Sequence, residues 1–178
     1  MNRKQLFDQI SAVCRSKITR DFLINLKTRE GNTQSCERIV IQKIKDILDE
    51  EHLVYKQAGS QQSKDFREVG GPEINLNIEI KKTDTNRIMC NDTCPNENIY
   101  YIILMTGNTR FPPQLVFLNG LDIIRDSPWV AEYQKEINDI KDKWCRGEAK
   151  KLLPGPVDVY CRPNYSFTLD NFAVGNEV

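Results

Sequence analysis

Residues 74–81, Ile-Asn-Leu-Asn-Ile-Glu-Ile-Lys, alternate apolar and polar side chains without a break. That is the period of a β-strand with one face covered. Ile74, Leu76, Ile78 and Ile80 point one way; Asn75, Asn77, Glu79 and Lys81 point the other. The next apolar run, Ile-Tyr-Tyr-Ile-Ile-Leu-Met at 99–105, has no polar position at all. A strand of that kind is covered on both faces. A sheet containing both strands needs layers on either side, which directs the chain to an α/β sandwich.

The other elements fit that frame. Helical spacing predicts helices over 3–17, where Phe7, Ile10, Val13 and Cys14 form an apolar face, over 19–26, and over 34–51, where Val40, Ile44, Ile47 and Leu48 form the stripe. Gly31-Asn32 breaks the chain before the third. Strands are predicted over 53–57, ended by Gly59-Ser60, over 64–69, followed by the turn signal Gly70-Gly71-Pro72, and over 115–118. Residues 82–98 read as a long polar loop. A helix over 130–144 follows, with Ser127 as N-cap and Pro128 as its first residue. Pro154-Gly155-Pro156 ends it, and 157–161 and 165–169 read as a terminal strand pair. The sequence has no internal repeat and no glycine-rich phosphate loop. The expectation is one domain over 1–178, with a core at about 34–118 and a C-terminal helix and strands over 128–170.

Composition narrows the function. A formal net charge of +0 argues against a tail-driven nucleic-acid binder but leaves room for a local basic cleft. No run is long and apolar enough to span a membrane, and no apolar stretch follows the basic N-terminus, so an intracellular, cytoplasmic protein is expected. The 6 cysteines show no dense disulfide framework and read as reduced thiols. Cys90 and Cys94 are spaced poorly for a structural zinc site. The only histidine, His52, reads as an exposed or helix-capping residue, which argues against Ser-His-Asp or Cys-His catalysis.

The polar face of 74–81 carries the chemistry. If 64–69 is the neighbouring strand, Asp65 stands beside Glu79 and Lys81. Two carboxylates suit a hard divalent cation bound through oxygen. An ammonium beside them can orient or deprotonate a water and neutralise developing phosphate charge. Those are the parts needed to hydrolyse a phosphodiester. Glu-x-Lys alone is most often a solvated surface pair; Asp65 on a separate strand and the buried strand that follows strengthen the functional reading.

Asp65 with Glu79-Ile80-Lys81, the approach from Gly59 to Arg67, and the polar run from Lys82 into the strand at Ile99 together resemble the PD-(D/E)XK nuclease superfamily, and within it type II restriction endonucleases. The likeness covers 57–105, or 37–105 with the preceding helix. It implies a restriction-endonuclease-like sandwich, a central mixed β-sheet flanked by α-helices. It also implies a sequence-specific double-stranded DNA endonuclease using Mg²⁺, for which Mn²⁺ can substitute. By the same resemblance Asp65 and Glu79 bind the metal together with the Ile80 backbone carbonyl, Lys81 is the catalytic lysine, and Glu37 matches a helical glutamate near the metal. Lys64 stands where many members carry proline. Cutting both strands of a palindrome implies a homodimer, and a cognate DNA methyltransferase encoded nearby is the expected companion. In the 82–98 run, Lys82, Asn86, Arg87, Asn91 and Asp92 are candidate DNA contacts, because Asn and Arg read adenine and guanine edges. The alternatives are a repair or junction-resolving nuclease of the same superfamily, or a non-catalytic DNA-binding module.

Overall fold

The computed structural model describes residues 1–27, 33–58, 64–91, 94–125, 129–153, 159, 161 and 164–172. Helix α1 (Arg3–Lys17) begins with a capping box: Asn2 accepts from the Gln5 amide, and the Gln5 side chain accepts from the Asn2 amide, each at 2.9 Å. Helix α2 (Arg20–Asn25) is capped by the Thr19 hydroxyl. Helix α3 (Thr33–Glu50) ends where His52 takes the left-handed conformation, φ 54°. There the His52 amide bonds Asp49 O and the Leu53 amide bonds Leu48 O, both at 3.0 Å, a Schellman closure. His52 therefore has the capping role read from the sequence.

Three strands follow: β1 (Lys56–Gln57), β2 (Phe66–Val69) and β3 (Leu76–Thr83). After them come β4 (Arg87–Asn91), β5 (Ile99–Met105) and β6 (Gln114–Asn119). The helices α4 (Gly120–Ile124) and α5 (Trp129–Ile140) precede β7 (Asn164–Thr168). One sheet has five strands in the order β1-β2-β3-β5-β6; β4 and β7 form a separate two-stranded sheet. The larger sheet is mixed, because β3 and β5 run parallel while its other pairs are antiparallel. The chain is thus mixed α/β with a central mixed sheet flanked by helices. Among the described residues no helix is long and apolar enough to cross a membrane.

Two apolar cores lie on opposite faces of the five-stranded sheet. On one, Ile78, Ile80, Ile102 and Leu104 meet Leu6, Ile10, Val40, Ile44 and Ile47 of α1 and α3. On the other, Tyr101, Ile103, Met105, Val116 and Leu118 meet Ile88 and Cys90 of β4, Val130 of α5 and Tyr165 of β7. Every residue of β5 is buried because both cores close over it. Tyr100 and Tyr101 accordingly face opposite cores.

The fold departs from the sequence reading in several places; β3 begins at Leu76 rather than 74, with Asn75 left-handed at φ 50°, and β2 begins at Phe66 rather than 64, which leaves Asp65 just before it. Residues 82–98 are not a loop: β3 continues through Thr83, and β4 crosses from there to pair with β7. The terminal strand pair is replaced by that pairing; Val159 and Cys161 are not in a strand, and the rest of 157–161 lies outside the described residues. The strand at 53–57 shrinks to Lys56–Gln57, the part that pairs with β2. The helix over 130–144 is α-helical only to Ile140 and continues as π-helical turns over Lys141–Arg146. Gly31-Asn32, Gly59-Ser60, Ser127-Pro128 and Pro154-Gly155-Pro156 lie outside the described residues.

Candidate active site

Strand register assembles the site. Phe66 pairs with Ile78 across antiparallel β2 and β3, so Asp65, one residue back, comes opposite Glu79. Ile78 and Phe66 are wholly buried on the helix-covered side, and pleating sends Asp65, Glu79 and Lys81 to the other face. Parallel pairing with β5 places Tyr101 beside Glu79 and Ile103 beside Lys81. β4 folds over the same face and contributes Cys90.

The polar contacts are short and mutual. Asp65 Oδ2 accepts from the Ile80 amide at 2.7 Å. Glu79 Oε2 accepts from the Lys64 amide at 2.9 Å, and Glu79 Oε1 from Lys81 Nζ at 2.6 Å. The side chains of Glu79 and Lys81 are about four-fifths covered, at 20% and 21% exposure. Lys64 makes its contact from a left-handed backbone, φ 74°, a conformation costly for a residue with a Cβ. Strained backbone of this kind concentrates at functional sites.

The electrostatics follow from that crowding. Burial, and then the charge of Glu79, push the Asp65 carboxyl up to about 6, against the opposing Ile80 amide and Lys81 charge; Glu37 adds a smaller upward push. Burial opposes the charge on Lys81, but Glu79 outweighs it and holds the ammonium above the usual lysine value. Burial raises the Cys90 thiol to about 11, and the Tyr101 phenol also rises, with burial the main cause. Lys81 is thus held as a cation, and Asp65 is a carboxylate whose ionisation the bare site resists.

That donor set fits a hard divalent cation. The groups are the carboxylate oxygens of Asp65 and Glu79, and a cation between them would relieve the repulsion that raises Asp65. Among the described residues no three His, Cys, Asp or Glu side chains form a metal-binding cluster, so Glu37 is not drawn in as a third ligand. It lies exposed in the first turns of α3, close enough for its charge to reach Asp65.

The candidate DNA-contacting residues are dispersed. Lys82 points away from Lys81 and pairs with Asp84 at 2.7 Å, its side chain 10% exposed. Asn86 donates to both oxygens of Asp170 at 2.7 and 2.8 Å. Arg87 and Asn91 are exposed positions of β4, opposite Thr168 and Asn164 of β7. Asp92 lies outside the described residues.

Two features escaped the sequence. Cys90 reaches the site because residues read as loop form a strand with alternating burial, a pattern visible only over the five positions Arg87–Asn91. A cavity of about 580 Å³ opens on the helix-covered side, between α1, β6 and α4, lined by Phe7, Ser11, Arg15, Tyr100, Phe117 and Leu121 among others. It lies on the opposite face from the carboxylates and takes no part in their chemistry. In comparisons with known proteins, no family model, no curated protein and no solved structure matches this chain.

Proposed function

We propose that this chain is a magnesium-dependent endonuclease that hydrolyses phosphodiester bonds in double-stranded DNA, with the sequence specificity of a type II restriction enzyme. The observation that carries the reading is the convergence of Asp65, Glu79 and Lys81 on one face of β2 and β3, with Asp65 raised by its own crowding against Glu79. The proposed architecture is the restriction-endonuclease-like sandwich, its catalytic strands β2 and β3 beside the buried β5.

Each side chain has a task in this reading. Asp65 and Glu79 hold the cation, with the Ile80 carbonyl as the expected third oxygen and Glu37 as an outer negative charge. A magnesium ion held there would act as a Lewis acid on the scissile phosphate. Lys81 remains an ammonium. It orients the attacking water and neutralises charge gathering on the phosphoryl oxygens, an electrostatic role rather than that of a general base. Glu79 fixes Lys81 at 2.6 Å, so its position is set before substrate arrives. Two copies about a two-fold axis would cut both strands of a palindrome, and a partner methyltransferase would protect the host's own sites.

Digestion of mixed plasmid DNA tests the proposal. Discrete fragments in Mg²⁺ or Mn²⁺, binding without cutting in Ca²⁺, and silence in EDTA are the expected pattern. Structure-selective or smeared cutting would point to a repair or junction-resolving nuclease. No cutting under any metal, with DNA bound, would leave a binding module.

A further inference from the structure

The segment after α5 carries charge and apolar surface that neither core uses. It runs through π-helical turns at Lys141–Arg146 and a 3-10 turn at Glu148–Leu152, and none of these residues is buried. The sequence of this short stretch holds five basic residues, Lys141, Lys143, Arg146, Lys150 and Lys151, and two acidic ones, Asp142 and Glu148, in a chain whose formal net charge is +0. The acids within it do not retire the charge of Arg146 and Lys151. Arg146 lies 3.6 Å from Asp142 and Lys151 2.8 Å from Glu148, and all four side chains are at least 68% exposed. Ion pairs this exposed are weak and yield to a competing anion. Lys143 Nζ sits 5.1 Å from the ring centre of Trp144, and Leu152 is 79% exposed.

We propose that this segment is a docking surface for the phosphate backbone of double-stranded DNA. A concentration of basic side chains on a neutral chain selects a polyanion by counterion release, whatever the sequence of that polyanion. The choice of duplex DNA among polyanions rests on the nuclease reading. An anionic bilayer fits less well, because the change of helix type at Gly147 interrupts the continuous apolar face an interfacial helix needs. The segment also supplies what Lys82 and Asn86 do not, since Asn86 is already engaged by Asp170 and Lys82 by Asp84.

The test uses the full wild-type chain in EDTA, where the proposed metal-dependent cutting is off. Binding of a fluorescein-labelled duplex is followed by anisotropy between 50 and 200 mM NaCl, with and without Lys143→Gln, Arg146→Gln and Lys151→Gln together. The expected result is a log–log salt slope shallower by about 0.9 for each phosphate contact removed. Affinity at low salt should fall at least tenfold, equally for unrelated sequences. A thermal melt reports whether the combined variant folds; if it does not, Lys143→Gln and Arg146→Gln singly are read by the same slope. An unchanged slope and affinity would overturn the proposal. So would failure of the parent chain to bind duplex, or tighter binding to phosphatidylserine vesicles than to duplex. Duplex binding lost in the variant, from a wild-type chain that never cuts, would uphold the docking surface while removing the nuclease reading. Cutting by a wild-type chain whose variant binds unchanged would do the reverse.

Discussion

At Asp65 the chain keeps a carboxylate where burial and Glu79 both resist its charge. Raising its value from 3.8 to about 6 means that ionised Asp65 costs the metal-free fold about 3 kcal/mol at neutral pH. The sign is that of a raised acid. The folded protein holds the proton more tightly than the unfolded chain, so stability falls as pH rises from about 4 to about 6, and the full loss persists above. Asp65→Asn should therefore raise the melting temperature in EDTA at pH 7.5, and the gain should vanish near pH 3.5; thermal unfolding across that range checks it. No gain at pH 7.5 would mean that Asp65 is not crowded as described. Lys64 gives a second residue-scale expectation. Proline cannot adopt φ 74° and has no amide for Glu79. Lys64→Pro should destabilise by about 2 kcal/mol or more in denaturant unfolding. A stable Lys64→Pro protein would contradict the left-handed turn into the site.

Among the elements, the short α4 is held against the turn that leads into β5. A Cβ at Gly120 would lie 2.0 Å from the Asn96 carbonyl oxygen, a rigid backbone group that cannot swing aside. Gly120→Ala should cost about 1–3 kcal/mol, measured as a shift in the urea midpoint, and a neutral result would show that the turn can open. The elements also divide by how legible they were. β3 and β5 declared themselves as strands through strict alternation and an unbroken apolar run, although the polar face of β3 is largely covered as well: Asn77 is buried and Glu79 and Lys81 are about four-fifths covered. With β3 came the site, since the same pleat that buries Ile78 and Ile80 sets Glu79 and Lys81 together. β4 was illegible because its partner is β7, far along the chain, and a lone five-residue stretch flanked by polar residues reads as loop. Nothing in the sequence of that stretch shows that Asn86 and Lys82 have acidic partners. Glu37 follows from the resemblance alone, and helix geometry leaves it exposed at the edge of the field around Asp65.

For the whole molecule, the sheet separates two workplaces. One face is closed by α1 and α3 and contains the cavity beside Phe117; the other carries the carboxylates, with β4, β7 and α5 gathered over it. If the basic segment at Lys141–Leu152 docks DNA as proposed, catalysis and docking should be separable by mutation. The central claim is that Lys81 serves the reaction as a fixed cation rather than holding the fold or the DNA. Single-turnover cleavage of plasmid in Mg²⁺ by Lys81→Ala, beside its duplex affinity in Ca²⁺, tests this most directly. The expected cleavage rate is lower by about 10²–10³-fold, with duplex affinity little changed. A Lys81→Ala protein that cuts at near the wild-type rate would contradict it.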